Sequence, residues 1–383
     1  MRKFLILLSL AFGLMASAKA ATDTKASIDV KAPQVYLKDL NTGDILLEKN
    51  ADQKMVPSSM SKIITAYLVF ERLKSGDVKL DDTFHVSEYA WGKQGSKTFL
   101  PVNAKVSVED LLKGVIVQSG NDACIVLAEG LSGTEAAFAD EATQKAHEMG
   151  ATNSTFLNST GWPDEGHLTT AKDLAIIAER TIRDFPKEYE KYYALKEFTF
   201  NNIKQGNRNT LLYKNIGADG MKTGHTDSGG YGIVVSAKQG DRRLILVING
   251  LPSSKDRDAE ATALINWGFN FWKNYKIFGK GDVVEVADVW SGTEKSVPLV
   301  ASKDISFTIP RSQRKYLEVK IVYDSPVAAP LKAGDKVGII EVTVPEKGVY
   351  KIPLHAGKDV KMASFFNRIN NSIHYLLYGK HGS

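Results

Sequence analysis

At 383 residues the chain is long enough for two domains, and a composition of 43% hydrophobic and 24% charged residues can bury a large core. The net charge of +5 is mild for this length and forms no basic stripe, so nucleic acid is not an expected partner. A single cysteine excludes an internal disulfide, and seven histidines without a His-x-x-x-His or mixed Cys/His cluster give no expected metal site.

Residues 1–20 read as a secretory leader. Arg2 and Lys3 are the basic start, Phe4 to Met15 an apolar stretch too short to span a bilayer comfortably, and Ala18-Lys19-Ala20 a small-x-small cleavage signal. Function outside the cytoplasm follows, where ATP-dependent and nicotinamide chemistry is not expected. Residues 33–50 pattern as a β-hairpin, with Val35–Leu40 and Asp44–Glu48 flanking the turn signal Asn41-Thr42-Gly43.

Pro57-Ser-Ser-Met-Ser-Lys62 then introduces the run Ile63–Phe70, which has no polar face, and Lys74-Ser75-Gly76 closes it. An apolar helix from about Ser59, central in a large core, is predicted. Ser59 and Lys62 are three apart and share a face in its first turn, where unpaired amides and the positive end of the macrodipole favour a developing alkoxide. A buried Lys62 with a lowered pKa is suited to take the serine proton. Ser-x-x-Lys also occurs about once or twice by chance in such a chain. A second copy, Ser312 to Lys315, lies in a polar segment with no apolar helix after it. An N-cap serine beside a solvated lysine has the same spacing.

Ser107-Val-Glu-Asp110 reads as a capping-box start for a helix through Leu111 to Val117. It runs into Gln118-Ser119-Gly120-Asn121-Asp122, after which the apolar run Ala123–Ala128 begins another helix and buries Cys124 as an inert thiol. The corner carries two short polar side chains, Ser119 and Asn121; helix punctuation, with Asn or Asp as the next N-cap, explains it equally. Residues 150–167 are loop-like, and Thr170 to Asp173 is a further capping box. Lys222-Thr223-Gly224 precedes a hairpin of Tyr231–Ala237 and Arg243–Ile248, and is expected about 0.1 times by chance. Lysine and threonine on a strand suit an anionic group, and glycine permits its close approach. A helix from Asp256 to Lys273 is predicted to pack on the sheet.

From Val283 short alternating runs separated by Pro, Gly and Ser predict a small all-β domain over 284–352. Asp359–Tyr378 is amphipathic: Met362, Phe365, Phe366, Ile369, Ile373, Leu376 and Leu377 fall on one helical face. A membrane surface suits it, as does docking on the β-domain.

Ser59-x-x-Lys62, Ser119-Gly-Asn121 and Lys222-Thr-Gly224, in that order, resemble the motif set of penicillin-recognising serine enzymes. Ser-Gly-Asn, and the lack of a Glu-x-x-Leu-Asn element before Trp162, point away from class A β-lactamases. Val117–Cys124, Asn207-Arg208-Asn209 and Asp219–Asp227 are similar to low-molecular-mass penicillin-binding proteins that are D-alanyl-D-alanine carboxypeptidases, of the penicillin-binding protein 5 and 6 type. The resemblance spans nearly the whole chain.

It implies an α+β fold: a serine β-lactamase/DD-peptidase-like catalytic domain over 21–283, with an antiparallel sheet and a helical cluster. A β-sandwich domain over 284–352 and an amphipathic anchoring helix over 353–383 would follow. By resemblance Ser59 is the nucleophile, Lys62 the general base, and Ser119 and Asn121 the proton-relay and substrate-holding side. Lys222 supports the low pKa of Lys62 and binds the substrate carboxylate with Thr223, beside Gly224. Arg208 and Arg257 match positions near that carboxylate, and the Ser59 and His225 amides form the oxyanion hole. Ala90–Leu100 matches a mobile loop beside the Ser-Gly-Asn corner. The implied reaction removes the terminal D-alanine of peptidoglycan stem peptides through an acyl-enzyme, with no cofactor, and β-lactams acylate the same serine. A periplasmic enzyme held on the inner membrane by its tail is expected. A β-lactamase-like hydrolase and a non-catalytic wall-binding protein are the alternatives, separable by penicillin turnover and by a Ser59→Ala variant.

Overall fold

The structure, a computed structural model, describes residues 2–7 and 28–369. The chain divides into two compact units, residues 27–270 and residues 271–383, the latter joined by residues 1–26.

The first unit is built on a five-stranded antiparallel sheet of β1 (Gln34–Asp39), β2 (Ile45–Lys49), β3 (Ala218–Thr226), β4 (Gly230–Gln239) and β5 (Arg242–Leu251), in the order β2-β1-β5-β4-β3. Both predicted hairpins are present. They are joined where β1 pairs with β5, placing Leu37 opposite Leu246. Leu244 to Ile248 are all fully buried, so the central strand carries an unbroken apolar run where an edge strand would alternate.

The helices are α1 (Lys62–Ser75), α2 (Glu88–Gly92), α3 (Val108–Lys113), α4 (Asn121–Ser132), α5 (Glu135–Glu148), α6 (Ala171–Asp184), α7 (Pro186–Tyr193) and α8 (Ser254–Phe271). Every residue from Lys62 to Phe70 in α1 is buried, as its all-round apolar sequence requires, and Gly76 in the left-handed conformation ends the helix. The helix begins later than predicted. Ser58–Ser61 is a separate 3₁₀ turn, and neither Pro57 nor Ser61 caps through a side chain, so the N-cap reading of the serines does not hold. α3 is also shorter than expected. It gives way at Gly114 to a π-helical turn that ends at Ser119, whose φ of 64° is left-handed. At Thr170, Oγ1 accepts from Asp173 N as predicted, at 3.0 Å, but the Asp173 carboxylate also accepts from Asn153 N and Ser154 Oγ, both at 2.8 Å. That residue therefore ties the preceding loop as well as starting a helix. α8 lies against the sheet at Gly268, where a Cβ would come within 2.7 Å of Leu244.

The second unit is a β-domain. Its seven-stranded sheet runs Arg2–Leu7, Glu318–Ser325, Lys336–Val344, Gly348–Ala356, Ser296–Ala301, Val283–Trp290, Val327–Ala328, and a two-stranded ribbon pairs Trp272–Phe278 with Ile305–Pro310. Val297, Leu299, Ile309, Ile340, Val342 and Leu354 are fully buried at its core. The unit begins at Phe271 rather than at 284, because Trp272–Phe278 finds its hydrogen-bonding partner in Ile305–Pro310. Its last strand runs to Ala356, past the expected end at 352. Most of the leader expected over 1–20 lies outside the described residues. Of the expected tail helix only the first turn, ending at Ile369, is described; Phe365 and Phe366 there are 63% and 80% exposed.

Candidate active site

The three short motifs converge on the Ser58–Ser61 turn. Sequence places Ser59 just before α1; the fold buries Lys62, 1% exposed, one helical turn further on. Lys62 Nζ lies 2.9 Å from Ser59 Oγ, 2.8 Å from Asn121 Oδ1 and 2.5 Å from the Thr160 carbonyl oxygen. The Asn121 amide is oriented by its own Nδ2, which donates to Gln94 O at 2.7 Å. Two of the three partners of Nζ are thus pure acceptors. A neutral amine has two N–H bonds and one lone pair. With both N–H bonds donated to Asn121 and Thr160, the lone pair is left facing the Ser59 hydroxyl, the orientation a general base needs.

Burial brings the Lys62 ammonium down from 10.5 to about 8, and the Arg208 cation adds to the lowering. Arg208 is thus a cation acting on Lys62 that the sequence reading places only at the substrate carboxylate. Lys222, itself buried, is pushed well below its ordinary value by burial first and then by Lys62 and Arg208. Two ammonium groups in one dry pocket cannot both stay charged cheaply.

Lys222, Thr223 and Gly224 lie on β3, the edge strand of the sheet, with Lys222 Nζ donating to Thr223 O at 3.1 Å. Gly224 suits a close approach. A Cβ there would sit 3.0 Å from Pro57 O and 3.2 Å from Ser58 Cβ, so glycine lets β3 close on the Ser58–Ser61 turn without displacing it. Ser58 Oγ and Thr226 Oγ1, 2.8 Å apart, close the same seam. His225 is exposed and stacks on Tyr231, ring centroids 3.8 Å apart.

Ser119 is 1% exposed and its hydroxyl has no hydrogen-bond partner. The left-handed backbone at the end of the π turn holds it at the corner. Beside it the Asp122 carboxylate, 1% exposed, accepts from the backbone amides of Thr98, Leu100 and Ala123. The aspartate is therefore a buried anchor for the Lys93–Leu100 loop; Gly120, not Asn or Asp, occupies the N-cap of α4. Asn121 N donates to Ser96 O at 2.7 Å, and Arg208 Nη1 to Ser96 Oγ at 2.5 Å, fixing the same loop. Arg257 is buried but is ion-paired with its neighbour Asp258 at 2.7 Å, and its charge is felt at Lys222.

Sequence reasoning missed Thr160, which acts through its carbonyl and so has no side-chain signature, and Asp122, which it read as punctuation. Among the described residues no group of three His, Cys, Asp or Glu side chains is placed to hold a metal ion.

Residues 18–252 match the D-alanyl-D-alanine carboxypeptidase family, peptidase S11, and residues 272–362 match the C-terminal domain of penicillin-binding protein 5. The chain is 39% identical over 361 residues to D-alanyl-D-alanine carboxypeptidase DacC of Escherichia coli K12, an alignment covering 92% of this chain and 90% of that protein. Against DacA of Haemophilus influenzae it is 39% identical, covering 89% and 88%. Among solved structures, penicillin-binding protein 5 from Haemophilus influenzae superposes with a TM-score of 0.76 at 38% identity, covering 88% of this chain and 99% of that one. Penicillin-binding protein D2 from Listeria monocytogenes, in an ampicillin-bound form, gives 0.59 at 27% identity, covering 64% and 99%. Sequence, site geometry and these matches agree: the chain belongs to the D-alanyl-D-alanine carboxypeptidase family.

Proposed function

We propose that the protein is a serine D-alanyl-D-alanine carboxypeptidase that removes the terminal D-alanine from peptidoglycan stem peptides. The observation that carries the proposal is the wiring of Lys62, whose two acceptor partners leave its lone pair for Ser59.

Ser59 Oγ attacks the carbonyl between the two D-alanines while Lys62 takes its proton. The C–O bond forms, the C–N bond breaks, and the proton passes to the departing D-alanine amine. Water then attacks the ester, with the same base, and restores the serine. The buried, unpaired Ser119 hydroxyl is suited to relay the proton towards the leaving amine, and Asn121 holds both the base and the substrate. Lys222, Thr223 and Arg208 bind the terminal carboxylate, Gly224 gives it room, and Arg257 adds positive potential from behind its ion pair. The Ser59 and His225 amides take the oxyanion. β-Lactams acylate Ser59 as mimics of the same terminus.

The protein acts in the periplasm after loss of residues 1–20. The amphipathic segment following the β-domain holds it on the inner membrane surface by its exposed Phe365 and Phe366. Among the described residues no helix is long and apolar enough to cross a membrane.

Release of D-alanine from a diacyl-Lys-D-Ala-D-Ala peptide is the test, with Ser59→Ala beside the wild type. Release that vanishes with the serine is expected; a folded wild type that releases none refutes the proposal. Rapid turnover of penicillin by the same sample would instead establish a β-lactamase.

A further inference from the structure

His167 lies behind the nucleophile turn, 1% exposed, and the chemistry described so far does not use it. Its Nδ1 accepts from Leu157 N at 3.1 Å, which puts the imidazole proton on Nε2; that nitrogen lies 3.0 Å from Ser61 Oγ and so donates to it. The ring packs edge-on to Phe156. Burial depresses its pKa to about 4, with the charges of Asp164, Lys62 and Glu135 acting on it, so the ring is neutral under ordinary conditions.

The loop bearing His167 meets the turn and α1 repeatedly. Gly161, with φ at 79°, sits where a Cβ would be 1.8 Å from Ser58 O. His167 holds Ser61, Thr160 O receives Lys62, and Ser159 O accepts from Thr65 Oγ1 at 2.7 Å. Ser61 and Thr65 are four apart where α1 begins and share a face there, with Lys62 beside them. The loop is therefore laid along the start of α1, and one of its contacts there is the carbonyl that orients the base.

We propose that His167 is a positioning residue for the acylation step: by clasping Ser61 it fixes the loop so that the Thr160 carbonyl holds the Lys62 amine with its lone pair towards Ser59. The proposal rests on the reading of Ser59 and Lys62 as nucleophile and base. The clasp also keeps the loop packed over Lys62, and burial is the main cause of that lysine's lowered pKa. Loosening it has two signatures: slower acylation, because a misplacement of about 1 Å costs up to about 100-fold, and a pH midpoint displaced towards that of an ordinary lysine.

The experiment compares the full chain with His167→Leu, His167→Gln and Ser61→Ala. Thermal melting reports folding, a fluorescent penicillin reports the acylation rate from pH 6 to 10, and a D-Ala-D-Ala peptide gives kcat and KM. His167→Leu is expected to acylate about 10- to 100-fold more slowly, with KM changed less than kcat and the midpoint raised. His167→Gln, which keeps a donor and an acceptor, is expected to recover part of the rate. Ser61→Ala removes the same hydrogen bond without a large cavity, and is expected to show the same pattern more weakly should His167→Leu fail to fold. Folded variants with the wild-type rate and midpoint overturn the proposal, as does a rate loss that only follows the loss of folded protein. A wild type that is not acylated would instead refute the Ser59–Lys62 reading itself.

Discussion

Lys62 is, as a neutral amine, the engine of the proposed reaction and, as an ammonium, a load on the fold, and one titration measures both. Lowering its pKa from 10.5 to about 8 raises the neutral fraction at pH 7 from about 0.03% to about a tenth, roughly a 300-fold gain in working base. The acylation rate is expected to climb about tenfold between pH 7 and 9 and to level off above that. The sign for stability follows from the same shift. The unfolded lysine keeps its proton up to about 10.5 while the folded one loses it near 8, so the unfolded state binds more protons between those values and stability rises with pH across that window. Below pH 8 the full burden applies, on the order of 3 kcal/mol for a shift of this size. Lys62→Met, which removes the charge and keeps the length, should lose acylation while losing little stability at pH 7, or gaining some. The assays are fluorescent-penicillin labelling against pH and urea unfolding of both proteins at pH 7 and 9. A rate midpoint near 10, a flat profile, or a Lys62→Met protein destabilised by several kcal/mol at pH 7 would refute the reasoning.

Arg208→Gln removes a cation that presses on Lys62, so its acylation midpoint should move to higher pH, and KM for a peptide with a free terminal carboxylate should rise. Asp122→Asn replaces a carboxylate oxygen that accepts backbone amides with an amide donor. It should cost about 2–4 kcal/mol in urea unfolding and loosen the Lys93–Leu100 loop, detectable as faster hydrogen exchange at Thr98 and Leu100. Gly161→Ala forces a methyl group onto Ser58 O in a left-handed backbone; a loss of about 2 kcal/mol or more, with activity lost beyond the fraction unfolded, is expected from melting curves and penicillin labelling.

What the sequence revealed and concealed divides along physical lines. α1 was legible because burial on every side leaves an unmistakable apolar run, and the β1–β2 and β4–β5 hairpins because short apolar runs bounded by turn residues are local signals. The strand Trp272–Phe278 was assigned to the wrong unit because its partner, Ile305–Pro310, lies far along the chain, and periodicity carries no information about pairing. Ser59, Lys62 and Asn121 were found because side-chain chemistry is written in residue type, and the structure joins all three through one amine. Thr160 contributes a carbonyl that every residue possesses, and His167 is a lone histidine in a loop; neither has a signature until the fold sets it against α1. Asp122 misled because an aspartate opening a helix is usually a cap, whereas here its acceptors serve a loop that packs over the corner.

The seam between β3 and the Ser58–Ser61 turn also sets the order in which reactivity can arise. The serine is made early in the chain, while the strand that closes on it runs to Thr226 and pairs with residues still later. Until that late strand docks, the turn lacks the edge that carries Lys222, Thr223 and Gly224. The complete site therefore exists only once the β3–β4 hairpin has closed on the turn, however early the serine itself is made.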